Sequence, residues 1–362
     1  MRGLIKSIER WGRRFLLLLI PQPRREHLPE SFAPKTALVI RVDPRVGNSI
    51  MLTSFLEQLA STYPTINVTV LGPRQADPLM RDHPKLTQFI SFDKKRVFGD
   101  AGWFKTFRFL KTQSFDVVFE ASNPSRASTT HAILTSLSQS PVKVGFKRRA
   151  DETRFTITAA VLTPLEEHHE NAQRGQFLKA LGQASAHIPL PNMRHISTGA
   201  TSSITTWLHQ NAPTGYVVLN VGARLRTKHL SQTLYREILR VVEERGDVAV
   251  VTYGPSEHRL ARRTIEETKA LLCPPTSLRE LGEVFERATH VITCDTGPMH
   301  LSVSMNTPTC GIFLTTAPKR FGYRSRGHIS VDAQSMSHET VVESVRTWLA
   351  EPKIPDQESP ST

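Results

Sequence analysis

Short runs of apolar, largely β-branched residues recur along the chain, and between them lie longer stretches with helical spacing of apolar positions. In the first half the runs are Thr36 to Ile40, Ile66 to Leu71, Asp116 to Phe119 and Val142 to Phe146, and each reads as a buried strand. Gly47 to Thr62 and Ser125 to Ser138 read as helices, and Trp103 to Lys111 as a basic amphipathic stretch. Near residue 197 the alternation starts again. Tyr216 to Asn220, Val248 to Thr252, Val291 to Thr293 and the run ending at Phe313 read as strands. Gln232 to Glu244, Glu257 to Thr268 and Leu278 to Ala288 read as helices. Ala172 to Gly182 reads as a helix between the halves, followed by an extended linker at Ile188 to Pro191. Strands separated by helices of this length pair in parallel with helices on both faces. The expected class is therefore α/β, with two facing Rossmann-like doubly wound domains at 35–190 and 191–350. Ligands are expected in a central cleft at the carboxyl edges of the sheets.

The amino terminus breaks this pattern. Leu4 to Ile20 interleaves Trp11, Phe15 and a Leu-rich run with Arg2, Lys6, Arg10, Arg13 and Arg14. Its uninterrupted apolar part, Phe15 to Ile20, is far shorter than the roughly 20 residues that a bilayer crossing needs. No small-residue cleavage site follows it. Residues 1–20 are expected to lie on a membrane surface as a basic amphipathic helix, joined by a connector that ends at Pro34; packing onto the protein's own body is the alternative. Residues 351–362 form a polar tail.

Composition narrows the choice of partner. The 362 residues are 39% hydrophobic and 22% charged, as in globular proteins, and the net charge of +13 calls for an anionic partner. Nucleic acid is not expected, because no nucleic-acid motif or aromatic stacking pattern accompanies the charge. Cys273, Cys294 and Cys310 lack metal-ligand spacing and read as small core residues in a reducing compartment. The acidic and histidine-rich stretch Glu166 to Glu170 reads as a charged helix start, and neither a metal nor a cofactor is expected.

The candidate chemistry centres on Asp295-Thr296-Gly297-Pro298-Met299-His300, which reads as strand end, tight turn and first helical turn. Gly297 lets the backbone approach a ligand, Pro298 suits a helix start, and the free amides carry partial positive charge, so a phosphate or diphosphate fits there. An ordinary turn capped by Asp295 or Thr296 is the alternative.

Four segments carry a resemblance to a known family: Arg41 to Thr53, Phe115 to Val118, Val218 to Ala223 with Lys228, and Asp295 to Phe313. From about Ala37 to Trp348 the chain resembles the ADP-heptose:lipopolysaccharide heptosyltransferases of glycosyltransferase family nine, which have the GT-B fold. The resemblance implies an inverting transfer of a heptose or similar sugar from a nucleotide-diphosphate donor, ADP-heptose, to a lipopolysaccharide core or related glycan. It also implies a place at the cytoplasmic side of a bacterial inner membrane. Donor binding would fall to Thr296, Gly297, Asp295, Pro298, His300, Glu257, Gly222 and Arg224, with Lys228 as a mobile cation on the diphosphate. Other accounts stay open: Lys228 as a solvated loop charge, Glu257 as a helix-start carboxylate, and His300 as a core histidine bonded to backbone.

One departure stands out. Where the family has Gly-Asp after its first strand, with the Asp as proposed base, this chain has Gly47-Asn48. An amide takes no proton but still orients a hydroxyl. Either Asp43, five residues earlier, supplies the carboxylate, or the acceptor is activated otherwise, or the chain is a silent relative that binds glycan or nucleotide or serves as a scaffold. Acceptor anions would be met by Arg126, Lys147 and Arg148, with Lys143 and Arg149 nearby; a solvated basic loop is the alternative.

Overall fold

The structure is a computed structural model that describes residues 32–148, 155–184, 187–197, 202–325 and 327–351. The expected membrane-surface helix at 1–20, its connector up to residue 31, Arg149 and most of the polar tail lie outside the described residues. The chain divides into two compact units between Pro189 and Leu190.

The amino-terminal unit is built on six parallel strands, β1 (Thr36–Ile40), β2 (Asn67–Pro73), β3 (Gln88–Phe92), β4 (Val117–Glu120), β5 (Val142–Phe146) and β6 (Ile157–Ala159), in the order β3-β2-β1-β4-β5-β6. Every residue of β4 and β5 is buried, which is why these strands read as unbroken apolar runs. The expected strand at Asp116 starts one residue later. Asp116 instead turns its carboxylate to the main-chain N–H groups of Lys35 (2.8 Å) and Thr36 (2.9 Å), tying the start of β1 to that of β4. Helices α1 (Val46–Thr62), α2 (Trp103–Thr112), α3 (Thr129–Leu137) and α4 (Glu170–Ala180) connect or flank the strands. Helix α3 begins later than the expected Ser125, because the side chain of Asn123 takes the Ser125 N–H (2.8 Å) in a local turn and Ser128 provides the helix cap. Where α1, α4, β4 and β5 meet, Phe177 has its ring centre 5.6 Å from Phe55, 5.9 Å from Phe119 and 4.5 Å from Phe146.

The carboxyl-terminal unit repeats the plan. Strands β7 (Val217–Asn220), β8 (Ala249–Thr252), β9 (Leu271–Leu272), β10 (His290–Cys294), β11 (Thr309–Phe313) and β12 (Ile329–Asp332) are again parallel, in the order β12-β11-β10-β7-β8-β9. Its longer helices are α5 (Ser203–Asn211), α6 (Gln232–Glu244), α7 (His258–Ile265), α8 (Leu278–Arg287), α9 (Gly297–Ser304) and α10 (His338–Ala350). Helix α7 is shorter than the expected Glu257 to Thr268, and Glu267 just past it takes the left-handed conformation at φ 64° that ends helices. Leu234, Tyr235, Ile238, Leu239 and Val242 of α6 and Val341, Val345 and Trp348 of α10 line one continuous core with the central strands. Each unit is thus the expected Rossmann-like parallel sheet with its helices.

The aromatic cluster yields a stability prediction. Phe177→Ala should destabilise the amino-terminal unit by about 3–5 kcal/mol, the usual cost of emptying a buried aromatic site. Urea unfolding followed by tryptophan fluorescence and circular dichroism measures it, and an unchanged midpoint would show that the cluster is not a packed core.

Candidate active site

In the carboxyl-terminal sheet the chain runs from β7 outward to β8 and β9, then returns to the other side of β7 for β10 and continues to β11 and β12. Loops after β7 and β10 therefore leave in opposite directions from neighbouring strand ends, the geometry that opens a ligand crevice in such sheets. The buried Asn220 side chain knits this edge together. It donates to Thr252 Oγ1 (2.9 Å), and its Oδ1 accepts from the Gly222 N–H (3.1 Å) and from Thr293 Oγ1 (3.4 Å). Space at Gly222 is tight, since a Cβ would lie 3.1 Å from the Gly254 nitrogen.

Lys228 and Asp295 meet across this switch point. The ammonium of Lys228 donates to Asp295 Oδ2 (2.5 Å) and to the Asp295 carbonyl (2.8 Å), and Thr316 Oγ1 also donates to Oδ2. Asp295 is almost wholly buried and Lys228 partly exposed, at 6% and 20%. Two of the three ammonium protons are thus directed to Asp295, which aims the cation and leaves one donor for another anion. Lys228 is accordingly not a solvated loop charge. Its loop is closed by His229 Nε2 donating to the Ala223 carbonyl (2.9 Å), which holds that nitrogen protonated.

Directly after Asp295, helix α9 starts with no side-chain cap. The Thr296 hydroxyl turns back to the Cys294 carbonyl (3.2 Å) and Asp295 is engaged by Lys228, so neither serves as the cap that the alternative reading required. Pro298 stands at the second helical position and lacks an N–H to satisfy. The helix thus presents backbone amides and the positive end of its dipole beside the Lys228 ammonium. His300 is buried within α9 and bonded through Nδ1 to Tyr323 Oη (2.9 Å). Glu257 folds back over Gly254, where a Cβ would lie 2.5 Å from its Oε2, and accepts from Ser256 Oγ (2.5 Å). It stands at the start of α7 without a side-chain capping bond. Arg224 and Arg226 are exposed on the loop after β7.

The amino-terminal unit has its own switch point between β1 and β4. Arg41, buried at the end of β1, donates to the Ala121 carbonyl after β4 and pairs through Nε with Asp43 Oδ2 (2.9 Å). Asp43 Oδ1 accepts from Asn48 Nδ2 (2.7 Å) and from the Arg45 N–H (3.2 Å). The two candidate residues of this loop are therefore one hydrogen-bonded unit. Burial pushes the Asp43 carboxyl up, but the Arg41 charge and the Asn48 hydrogen bond, helped by His131 and the Arg45 amide, outweigh it and hold the group below its ordinary value. Asp43 remains partly exposed, at 28%, so it is an ionised carboxylate reachable from solvent.

His131 supports this loop and was not anticipated, for nothing near it in the sequence marks it. Its Nε2 accepts the Val42 N–H (3.0 Å) while Nδ1 contacts Ser128 Oγ (2.8 Å), so the proton sits on Nδ1. Burial, with the nearby charges of Arg41 and Arg148, lowers its pKa to about 3.

The expected acceptor-binding cations separate. Arg126 and Lys147 are exposed on the loops after β4 and β5. Arg148 is not available for an acceptor. It is buried, pairs through Nη2 with Glu120 Oε2 (2.5 Å), and donates through Nη1 to Ser122 Oγ (2.9 Å) and the Asn123 carbonyl (2.8 Å). Lys143 likewise turns inward to the Ser136 carbonyl (3.1 Å), and burial brings its pKa down to about 8. In the Glu166 to Glu170 stretch, Glu170 is buried and faces Arg174 at 3.5 Å. Among the described residues no group of three or more His, Cys, Asp or Glu side chains could hold a metal, and no helix is long and apolar enough to cross a membrane.

Residues 103–347 match the model of glycosyltransferase family 9 (heptosyltransferase). Lipopolysaccharide heptosyltransferase 3 of Escherichia coli is 21% identical over 281 residues, 75% of this chain and 81% of that protein. A family 9 glycosyltransferase from Veillonella parvula superposes with a TM-score of 0.70 at 19% identity, covering 87% of this chain and 97% of that one. The E. coli heptosyltransferase WaaC, solved with ADP, superposes with a TM-score of 0.68 at 17% identity, covering 86% of this chain and 99% of that one.

The neutral burial of His131 carries a pH prediction. Its folded pKa lies far below the 6.5 of the free side chain, so unfolding takes up a proton between those values. Stability is full above that range and falls by about 1.4 kcal/mol per pH unit on going down from 6.5 toward the folded pKa of about 3. His131→Gln, which can still accept from Val42, should flatten that slope in urea midpoints measured from neutral to mildly acid pH; an unchanged slope would show that another group governs it.

Proposed function

The chain belongs to glycosyltransferase family 9, and we propose that it transfers a heptose from ADP-heptose to a lipopolysaccharide core acceptor. The E. coli relative is named for action on lipopolysaccharide, and the WaaC structure holds ADP. The observation that carries the donor side is the Lys228–Asp295 pair beside the uncapped start of α9. The ADP diphosphate sits against the Thr296–Gly297 backbone and takes the remaining Lys228 proton. Gly222, with the loop carrying Arg224, and Glu257 after β8 border the same strand ends and serve the nucleotide. Pro298 shapes the helix start, and His300 with its Tyr323 partner braces α9 from within.

In the transfer the acceptor hydroxyl oxygen bonds to the anomeric carbon while the bond from that carbon to the diphosphate oxygen breaks. The bonding electrons leave with the diphosphate, where Lys228 and the helix amides stabilise the charge. Asp43 receives the hydroxyl proton, and Asn48, donating to Asp43, keeps the carboxylate oriented. Depression of the Asp43 pKa makes it a weak base but keeps it ionised, which suits a hydroxyl that becomes acidic only as its bond to carbon forms. Arg126 and Lys147 meet the acceptor's anionic groups.

Two outcomes test this reading. Lys228→Ala should weaken ADP binding about 10- to 100-fold in calorimetry, the loss of one charge-assisted hydrogen bond; equal affinity for the two proteins would remove the donor assignment. Asp43→Asn should lower kcat by about 10²- to 10⁴-fold with ADP affinity unchanged. Asn48→Asp should also lower the neutral-pH rate, because it replaces a donor to Asp43 with a second carboxylate. A rise in rate for Asn48→Asp, or full activity in Asp43→Asn, would show that Asp43 is not the base.

A further inference from the structure

Among the described residues, the exposed large hydrophobic side chains are Val97, Phe98, Phe104, Phe107, Leu225 and Met336, and the first four fall between residues 97 and 107. That segment comprises the loop after β3 and the first half of α2. Helix α2 is apolar on two sides. Leu110, with Trp103 and Phe109, packs against the sheet core of the amino-terminal unit. Phe104 and Phe107, one turn apart, point away from it with 63% and 46% of their surface exposed. Phe98 is 74% exposed, and its ring centre lies 6.3 Å from that of Phe104. A core needs none of these three rings, and water disfavours all of them.

The loop is fixed in shape. Its backbone is held to the helix start by Trp103 N–H to the Arg96 carbonyl (3.0 Å) and Phe104 N–H to the Val97 carbonyl (3.0 Å). Trp103 Nε1 donates to the Lys94 carbonyl (3.1 Å), and Gly102 is pressed so close that a Cβ would lie 2.6 Å from the Phe98 oxygen. Val97 and Phe98 are therefore presented on an ordered protrusion, and inserting them elsewhere carries little extra cost in backbone entropy.

The same segment is rich in cations, and Lys111 lies over the Phe107 ring at 5.9 Å. Lys94, Lys95, Arg96, Lys105, Arg108 and Lys111 are all exposed, against the carboxylates of Asp93 and Asp100, so the six positive and two negative charges leave a net of four positive. Both carboxylates already face cations, Asp93 with Arg96 at 3.7 Å and Asp100 with Lys105 at 2.9 Å. Exposed aromatic rings flanked by long basic side chains match the layering of an anionic bilayer, with acyl chains beneath phosphate. We infer that this face docks on an anionic lipid surface, with Val97, Phe98, Phe104 and Phe107 at the acyl boundary and the basic side chains among the headgroup phosphates. The contact is distinct from residues 1–20 and does not depend on the sugar-transfer reading.

The test uses the full chain carrying Phe98→Cys labelled with the fluorophore NBD, a selective labelling because Cys273, Cys294 and Cys310 are buried. Added vesicles of phosphatidylglycerol and phosphatidylethanolamine should brighten and blue-shift the probe, and nitroxide lipids labelled near the headgroup should quench it; phosphatidylcholine vesicles should do neither at the same concentration. In the unlabelled chain, replacing Phe98, Phe104 and Phe107 by Ser should lower co-sedimentation with the anionic vesicles about tenfold or more, with circular dichroism unchanged. Absence of vesicle binding, a probe that stays water-like while the protein pellets, or unaltered sedimentation of the triple variant would each overturn the inference. Self-association without lipid that the triple variant abolishes would assign the face to a second copy of the chain instead.

Discussion

Each unit depends on a parallel sheet whose strand order reverses once, between its first and fourth strands. Because every strand is parallel to its neighbours, all carboxyl ends lie on one edge, and the loops from the two central strands part there. That constraint decides where chemistry is possible. In one unit it brings together Lys228, Asp295 and the start of α9; in the other it ties Arg41, on the loop that also carries Asp43 and Asn48, to the Ala121 carbonyl after β4. The two constellations occupy equivalent places, after the first strand and its central neighbour.

Electrostatics follows the same plan. Four cations drawn into the units are met by opposite charges, Arg41 by Asp43, Arg148 by Glu120, Arg174 by Glu170 and Lys228 by Asp295, while Lys143 meets the Ser136 carbonyl. An uncompensated ion in such surroundings would cost several kcal/mol. Exposure separates these pairs. Lys228 and Asp43 each keep a face toward solvent, whereas both members of the Arg148–Glu120 pair are buried. Much of the remaining positive charge lies on surfaces, including Arg126, Lys147 and the exposed lysines and arginines of residues 94–111.

Legibility tracked burial. The eight inner strands were all readable, because a strand covered on both faces must be apolar throughout. The four edge strands, β3, β6, β9 and β12, lay outside the expectations drawn from the chain. Their half-exposed positions admit polar residues, as in β3, which has one buried residue, and β9, which has only two residues, neither buried. Helices α5 and α10 were also unforeseen, although Ser202 and Ser337 provide the caps that could have marked them.

The sequence by itself determined the alternating α/β plan, the restart of that plan in the second half, the glycine and proline chemistry of the turn before α9, and the absence of Asp at position 48. These are local properties, set by periodicity and by the backbone preferences of single residues. Tertiary structure decided the rest. It joined Lys228 to Asp295 across 67 positions, added Thr316 from 21 positions away, set His131 beneath the Asp43 loop, and turned Arg148 inward to Glu120. Such partnerships depend on which strands become neighbours and on the register between them, and sheet pairing fixes both only when the chain closes on itself.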